Sequence, residues 1–180
     1  MTGVQSAEIE EVDAYLAELK RLDGPPPVWR PSTFSGEYDA QWAIYDSLGI
    51  QRSHLRFRVG QMRQYPSISL IFKGNSIWRF DICPPNECKT NPQDAGRKCG
   101  LPFEVCGSHC HSWDDNRAYI QRVGWGSMPY RRPTSPQMRR LSQALPWFCD
   151  AVGITLDHFQ RDFDVPQAAH LFEIDNGSVQ

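Results

Sequence analysis

Polar and apolar residues alternate most strictly in the middle of the chain. Over residues 54–59, Leu55, Phe57 and Val59 alternate with His54, Arg56 and Arg58, the period of two that marks a half-buried strand. Residues 67–72 and 76–82 follow the same period and place Trp78, Phe80 and Ile82 on one face. Between them, Lys73-Gly74-Asn75 is a hairpin signal. These segments predict an antiparallel meander. Residues 41–48 suit a further strand or a helix, and residues 118–123 are expected to add one more strand.

A different period frames the meander. Ile9, Val12, Leu16 and Leu19 recur at helical spacing, so an amphipathic helix is expected over residues 6–22, with its acids in the first turns where the helix dipole favours them. Gly24 and three prolines end it, and residues 24–37 read as an extended connection tied down by Trp29 and Phe34. Residues 125–136 form a second long loop. Ser135-Pro136 then opens a helix through Met138, Leu141, Leu145 and Phe148 to a stop at Gly153, with a bend at Pro146. A short helix over 156–163, an extended piece and a frayed tail at 175–180 complete the chain. The fold class expected is α+β in a single domain of residues 1–180: an N-terminal helix, an antiparallel β-meander, a zinc-organised Cys/His-rich loop and a C-terminal helix packed on the sheet.

Composition agrees with one core of ordinary size, since 40% of the 180 residues are apolar. The first residues carry neither a basic nor an apolar targeting region, and no apolar run reaches membrane-spanning length, so a cytoplasmic protein without a membrane partner is expected. The net charge of −2 conceals a segregated distribution. Between Gln51 and Cys149 stand 15 basic residues against six acidic ones, whereas the two ends together hold four against 15. Either the centre faces a polyanion, or the acidic ends pack onto it and neutralise it.

The densest chemistry lies in the loop over residues 83–111, which holds Cys83, Cys88, Cys99, Cys106, His109, Cys110 and His111. Thiolate and imidazole are the donors that Zn²⁺ prefers, and a Pro- and Gly-punctuated segment without apolar periodicity gains its shape by binding a metal, so one zinc ion is expected. Six cysteines also suit three disulfides in any of 15 connectivities, but without a secretory signal metal ligation ranks ahead. Cys149, far from the loop beside Trp147 and Phe148, reads as a small buried hydrophobe. The best single ligand set is Cys88, Cys99 and Cys106 with one of His109, Cys110 or His111. The surplus donors allow a second arrangement, in which His109 and His111 form a His-x-His pair with Asp81, Asp114 or Asp115 at an open site fit for hydrolysis. A thiol nucleophile at Cys106 or Cys110 beside His109 is a further alternative.

Arg117, Arg122, Arg131, Arg132, Arg139 and Arg140 interleave with Tyr119, Trp125 and Tyr130, a combination that suits phosphates and unpaired bases of RNA or single-stranded DNA. The function expected first is therefore a zinc-containing protein that binds nucleic acid through its basic centre, with the zinc mainly structural. Two other expectations stand beside it: a metal-dependent hydrolase or nuclease that uses His109, His111 and Asp114 or Asp81, and a module whose zinc-shaped loop and tryptophans bind a protein partner.

Overall fold

The computed structural model describes residues 4–33, 36–60, 65–134 and 137–165. Its centre is the expected meander: β3 (Tyr38–Tyr45), β4 (Gln51–Val59), β5 (Ser67–Phe72) and β6 (Asn75–Asp81) pair antiparallel in chain order. Short strands extend both edges. β1 (Lys20–Leu22) pairs with β3, and β11 (Ile154–Thr155) adds parallel to β1. β2 (Arg30–Pro31) pairs with the start of β3. On the other side β9 (His109–His111) pairs antiparallel with β6, and β10 (Arg132–Pro133) with β9. The turn between β5 and β6 has Lys73 and Gly74 at φ 49° and 80°, the two left-handed residues that a two-residue hairpin needs to match strand twist.

Alternation divides the sheet into two faces. Ala40, Trp42, Leu55, Phe57, Ile68, Leu70, Trp78 and Phe80 belong to the core, and helices complete it. From α1 (Ser6–Ala17), Tyr15 stacks on Phe72 with ring centroids 4.3 Å apart. From α4 (Leu141–Ala151), Phe148 and Trp147 meet Trp78, and Trp147 also meets Phe80. Trp29 stacks on Phe163, which meets Phe57 and Trp42 edge-on, so the connection around Trp29 is anchored as its aromatic residue suggests. The α+β class is thus the observed one, and residues 41–48 are largely strand.

Three local expectations are corrected. Residues 118–123 are not a strand but the second half of α3 (Trp113–Val123). The Ser112 hydroxyl accepts from the Asp115 amide at its start, two acids occupy the first turn, and Gly124 at φ 108° ends it. The first helix stops at Ala17 rather than Leu22: Lys20 turns back and donates its ammonium to the Tyr15 and Glu18 carbonyls at 2.8 and 2.6 Å, satisfying acceptors at the helix end while its backbone enters β1. The terminal short helix is a single 3-10 turn, His158–Gln160. Of the helix expected from Ser135-Pro136, the described part begins only at Leu141, so Met138 precedes it. Phe34, Ser135 and Pro136, the extended piece beyond Val165 and the tail at 175–180 lie outside the described residues.

The Cys/His-rich loop has internal organisation that its sequence does not advertise. β7 (Cys88–Thr90) and β8 (Glu104–Cys106) form a small hairpin, with α2 (Ala95–Cys99) between them. Cys88 and Cys106 sit directly opposite and are joined by a disulfide, so where metal ligation was ranked ahead of disulfides, these two sulfurs bond to each other. Asn91 is buried in the loop; its side-chain amide donates to the Pro102 and Arg131 carbonyls at 2.8 Å each and its side-chain oxygen accepts from the Arg131 amide at 2.7 Å. Ala95, Leu101 and Tyr130 make a separate apolar cluster beneath it. The loop therefore folds on backbone pairing, an amide clasp and a covalent cross-link.

Replacing both partners, Cys88→Ser with Cys106→Ser, releases a cross-link across 18 positions and is expected to lower stability by about 3 kcal/mol. Chemical denaturation of the variant and of wild type with and without a thiol reductant measures this. Equal midpoints in all three samples would show that the hairpin holds itself.

Candidate metal centre

The register between β6 and β9 brings four polar residues together. Asp81 stands opposite His109 and Arg79 opposite His111, while Phe80 and Cys110, one residue along each strand, pair on the other face within the core. A period of two thus selects the imidazoles and the carboxylate for one side and the apolar pair for the other. All three metal-type donors are buried, His109 to within 1% of complete.

The side-chain geometry is specific. His109 Nδ1 lies 2.9 Å from the Gly107 carbonyl and His111 Nδ1 lies 2.5 Å from the Met128 carbonyl. A carbonyl only accepts, so each Nδ1 carries a proton and each ring turns its Nε2 the other way. Both Nε2 atoms point at one oxygen, Asp81 Oδ2, at 3.6 Å from His109 and 3.3 Å from His111. The other oxygen, Oδ1, is taken by Arg79, whose Nε and Nη2 both approach it at 2.8 Å. His109 Nε2 has no hydrogen-bond partner among the described residues.

His109 Nε2, His111 Nε2 and Asp81 Oδ2 thus converge on a common point, and His109 Nε2 is the one left without a partner among the described residues. A neutral imidazole against a carboxylate oxygen, both out of water, is unfavourable unless a cation lies between them. The separations fit one. A tetrahedral site with metal bonds of about 2.0 to 2.1 Å has edges of about 3.3 to 3.4 Å, and the donor atoms of Asp81, His109 and His111 all lie within 4.8 Å of one another. Carbonyl acceptors behind both imidazoles and a guanidinium behind the carboxylate are the outer partners that orient ligands in metal sites.

Electrostatics agree with the donor roles. Burial holds the His109 pKa below its ordinary value despite the raising influence of the Gly107 bond and of Asp81, so the ring is neutral at pH 7. Burial pushes the Asp81 carboxyl up, but its bond with His111 and the charge of Arg79 outweigh that and hold it down at about 2. His109 and Asp81 are therefore in the protonation states that a cation site uses.

Beside it, α3 and the loop after it close over His111 and Arg79 and leave a cavity of about 200 Å³. His111 and Arg79 form part of its wall, with Asn75, Ser76, Ile120 and Met128 among the other lining residues. This is how the buried cluster meets solvent.

The remaining predicted site residues lie elsewhere. Cys88 and Cys106 are in the disulfide, with Glu104 alongside. Cys99 donates its thiol to the Asp115 carbonyl at 3.3 Å, Cys110 is buried behind the cluster with its thiol pushed up to about 12 by burial, and Cys83 is a free, half-buried thiol raised by burial. The proposed set of Cys88, Cys99 and Cys106 is thus not brought together. Burial raises Cys149 too, as befits the small core residue expected. Asp114 is exposed on α3, and Asp115 accepts from Arg132 at 2.6 and 3.0 Å. Arg117 donates to Asp13, and Arg131 to the Thr90 and Pro129 carbonyls. Tyr130 is buried and Trp125 stacks on Trp113, while Arg122 lies over Tyr119. Arg139 and Arg140 are exposed. Arg79 was not singled out from the sequence; its place two residues before Asp81 on a strand is the signal that identifies it. No family model matches the chain, nor does any curated protein or solved structure.

The depressed carboxyl of Asp81 contributes stability that is complete above its unfolded pKa near 3.8 and is lost as pH falls toward about 2. Relative to Asp81→Asn, which lacks this titration, wild type is expected to lose about 2 kcal/mol between pH 5 and pH 2, read from urea midpoints at each pH. Parallel pH profiles for the two proteins would show that Asp81 is not held by these partners.

Proposed function

We propose that the protein is a metal-dependent hydrolase whose single zinc-type ion is held by Asp81, His109 and His111. The observation that carries this reading is the convergence of two Nε2 atoms on Asp81 Oδ2, with both Nδ1 protons committed to backbone carbonyls. Two imidazoles and one carboxylate leave coordination open for water or substrate, whereas a closed structural site takes four protein ligands, commonly thiolates. When bound, the ion supplies Lewis acidity and makes water acidic enough to attack at neutral pH. The chain's own residues do the rest: the Gly107 and Met128 carbonyls fix the ring tautomers, and Arg79 both orients Asp81 and faces the cavity with about half its side-chain surface open. His111 is the ligand that adjoins the cavity, so substrate enters from its side.

The reading of zinc as a purely structural organiser of the loop has less behind it, because a disulfide and the Asn91 clasp already shape that segment. Nucleic-acid binding through the basic centre also draws less support, since Arg117, Arg131 and Arg132 are engaged within the fold. A protein-binding role for the tryptophans is weakened in the same way: Trp113 is buried and gives its indole N–H to Asp13. The cytoplasmic setting expected from the sequence draws less support too, because a disulfide such as Cys88–Cys106 persists in oxidising compartments. No helix among the described residues is long and apolar enough to cross a membrane.

Calorimetric titration with Zn²⁺ or Co²⁺ at pH 7.5 is expected to give one ion per chain. His111→Ala and Asp81→Ala should each weaken binding by at least about a hundredfold, more than the loss of an outer partner costs, while circular dichroism stays native. Affinity should fall at acid pH as protons compete with the metal for its ligands. Hydrolysis of activated esters should appear with the metal and vanish with His111. Unchanged metal affinity in His111→Ala would sink the proposal.

A further inference from the structure

The cavity beside His111 has a chemical character of its own. Arg79 is the one permanently charged residue among those that line it, and the wall includes no carboxylate. Arg79 spends Nε and Nη2 on Asp81 Oδ1, but its side chain remains 49% exposed, leaving part of the guanidinium fork open. Ser76 contributes a buried hydroxyl that has no hydrogen-bond partner among the described residues, and a buried hydroxyl left alone is costly. Asn75 spends its amide only on a long 3.5 Å contact with the Lys73 carbonyl. Ser127 adds another hydroxyl, and Ile120 and Met128 supply apolar wall.

Open guanidinium, unpaired hydroxyls and an underused amide, all next to a buried cluster of metal-type donors, form a donor-rich recess for an oxyanion. We infer that this cavity is the phosphoryl subsite of the enzyme and that its substrates are phosphate esters. A guanidinium fork matches two phosphate oxygens, and a third oxygen finds the hydroxyl of Ser76. A planar carboxylic ester or amide carries no such charge and would leave Arg79 and Ser76 unsatisfied. The volume of about 200 Å³ takes a phosphoryl group and one substituent, with the remainder of a larger substrate outside.

The reaction that follows rests on the hydrolase reading and consumes only water. Water attacks phosphorus, a new P–O bond forms, the bond to the ester oxygen breaks, and that oxygen leaves with the electron pair. The proton lost by water balances the one gained by the departing alcohol. A phosphomonoester yields inorganic phosphate, and a phosphodiester such as single-stranded RNA yields a strand end bearing a phosphomonoester.

Two measurements separate this inference from the hydrolase proposal. In the first, inorganic phosphate is titrated into the full-length protein without metal and with Zn²⁺. Binding is expected in both, weakened about tenfold by Ser76→Ala, which leaves the Arg79–Asp81 pair alone, and more strongly by Arg79→Ala, with melting curves monitored for folding. In the second, the Zn²⁺ form is given p-nitrophenyl phosphate, bis(p-nitrophenyl) phosphate, a single-stranded RNA oligonucleotide and p-nitrophenyl acetate. Turnover of either type of phosphate ester, competitively inhibited by phosphate and with KM raised in Ser76→Ala, supports the inference and identifies monoester or diester as the source. Turnover of the acetate alone overturns the inference and leaves the hydrolase proposal standing. Phosphate binding that is weakened in Ser76→Ala, in a protein that takes up no metal, supports the subsite while the hydrolase proposal fails. No phosphate binding by a folded protein overturns the subsite.

Discussion

Antiparallel pairing of β9 with β6 is the constraint on which the candidate site depends. Three residues of β9 meet three of β6, and this short ladder decides that His109 and His111 face Asp81 and Arg79. A slip of one residue would send Cys110 to the polar side and drive the imidazoles into the core, so register and chemistry are one matter. Phe80 and Cys110 enforce the register from the apolar face. At the far end of β6, the Lys73-Gly74 turn sets β6 against β5, so the hairpin signal in the sequence also fixes where Asp81 ends up.

Charge segregation along the chain resolves mainly by internal neutralisation. From the acidic N-terminal segment, Asp13 pairs with Arg117, Glu11 with Lys73, and Glu18 with Arg52. Arg56 and Arg58 share Asp39, and Arg52 also meets Asp46. Apart from those of the buried Asp46 and the largely covered Asp39, these pairs are half-exposed and contribute modestly to stability. Their effect is on the surface potential: the basic centre that looks like a polyanion platform in one dimension carries its counter-charges in three. Arg79 differs in kind. Its carboxylate partner belongs to the donor cluster, so its charge is directed at the cavity rather than spread over the surface.

The meander, the outer helices and the membership of His109, His111 and Asp81 in one candidate site were legible in the sequence, because each rests on local periodicity. Alternation puts every second residue on one face, and His-x-His on a strand needs nothing more. Choosing Asp81 over Asp114 required knowing that β6 and β9 are neighbours, a contact across nearly thirty positions that no local pattern encodes. α3 was misread because Ala118, Ile120 and Val123 look strand-like when detached from the Ser112 cap and the acidic first turn that start the helix. The cysteines misled for a related reason. Spacing showed them close in sequence, but hairpin pairing puts Cys88 opposite Cys106 and leaves Cys99 on α2 and Cys110 in the core.

The same hairpin explains how a loop without apolar periodicity holds the His109 imidazole steady. β8 runs straight into β9 through Gly107 and Ser108. Gly107, at φ 77°, donates its amide to the Glu87 carbonyl next to the disulfide and turns its own carbonyl to His109 Nδ1. Its positive φ favours glycine at position 107, and a side chain there would displace the Gln137 amide that receives the Ser108 N–H at 2.7 Å. Ser108 accepts from the Cys83 amide just beyond β6 and donates to the Met138 carbonyl, tying three segments at the base of the site. The cysteines thus act as scaffold and the imidazoles as donors. With thiolates excluded from the cluster, the donor set is harder and less crowded, which favours an ion with vacant coordination. Because Arg79 grips one oxygen of the carboxylate whose other oxygen faces both histidines, an anion drawn to Arg79 perturbs Asp81 directly. In the proposed enzyme, substrate binding and the donor strength of Asp81 would thereby be coupled through a single side chain.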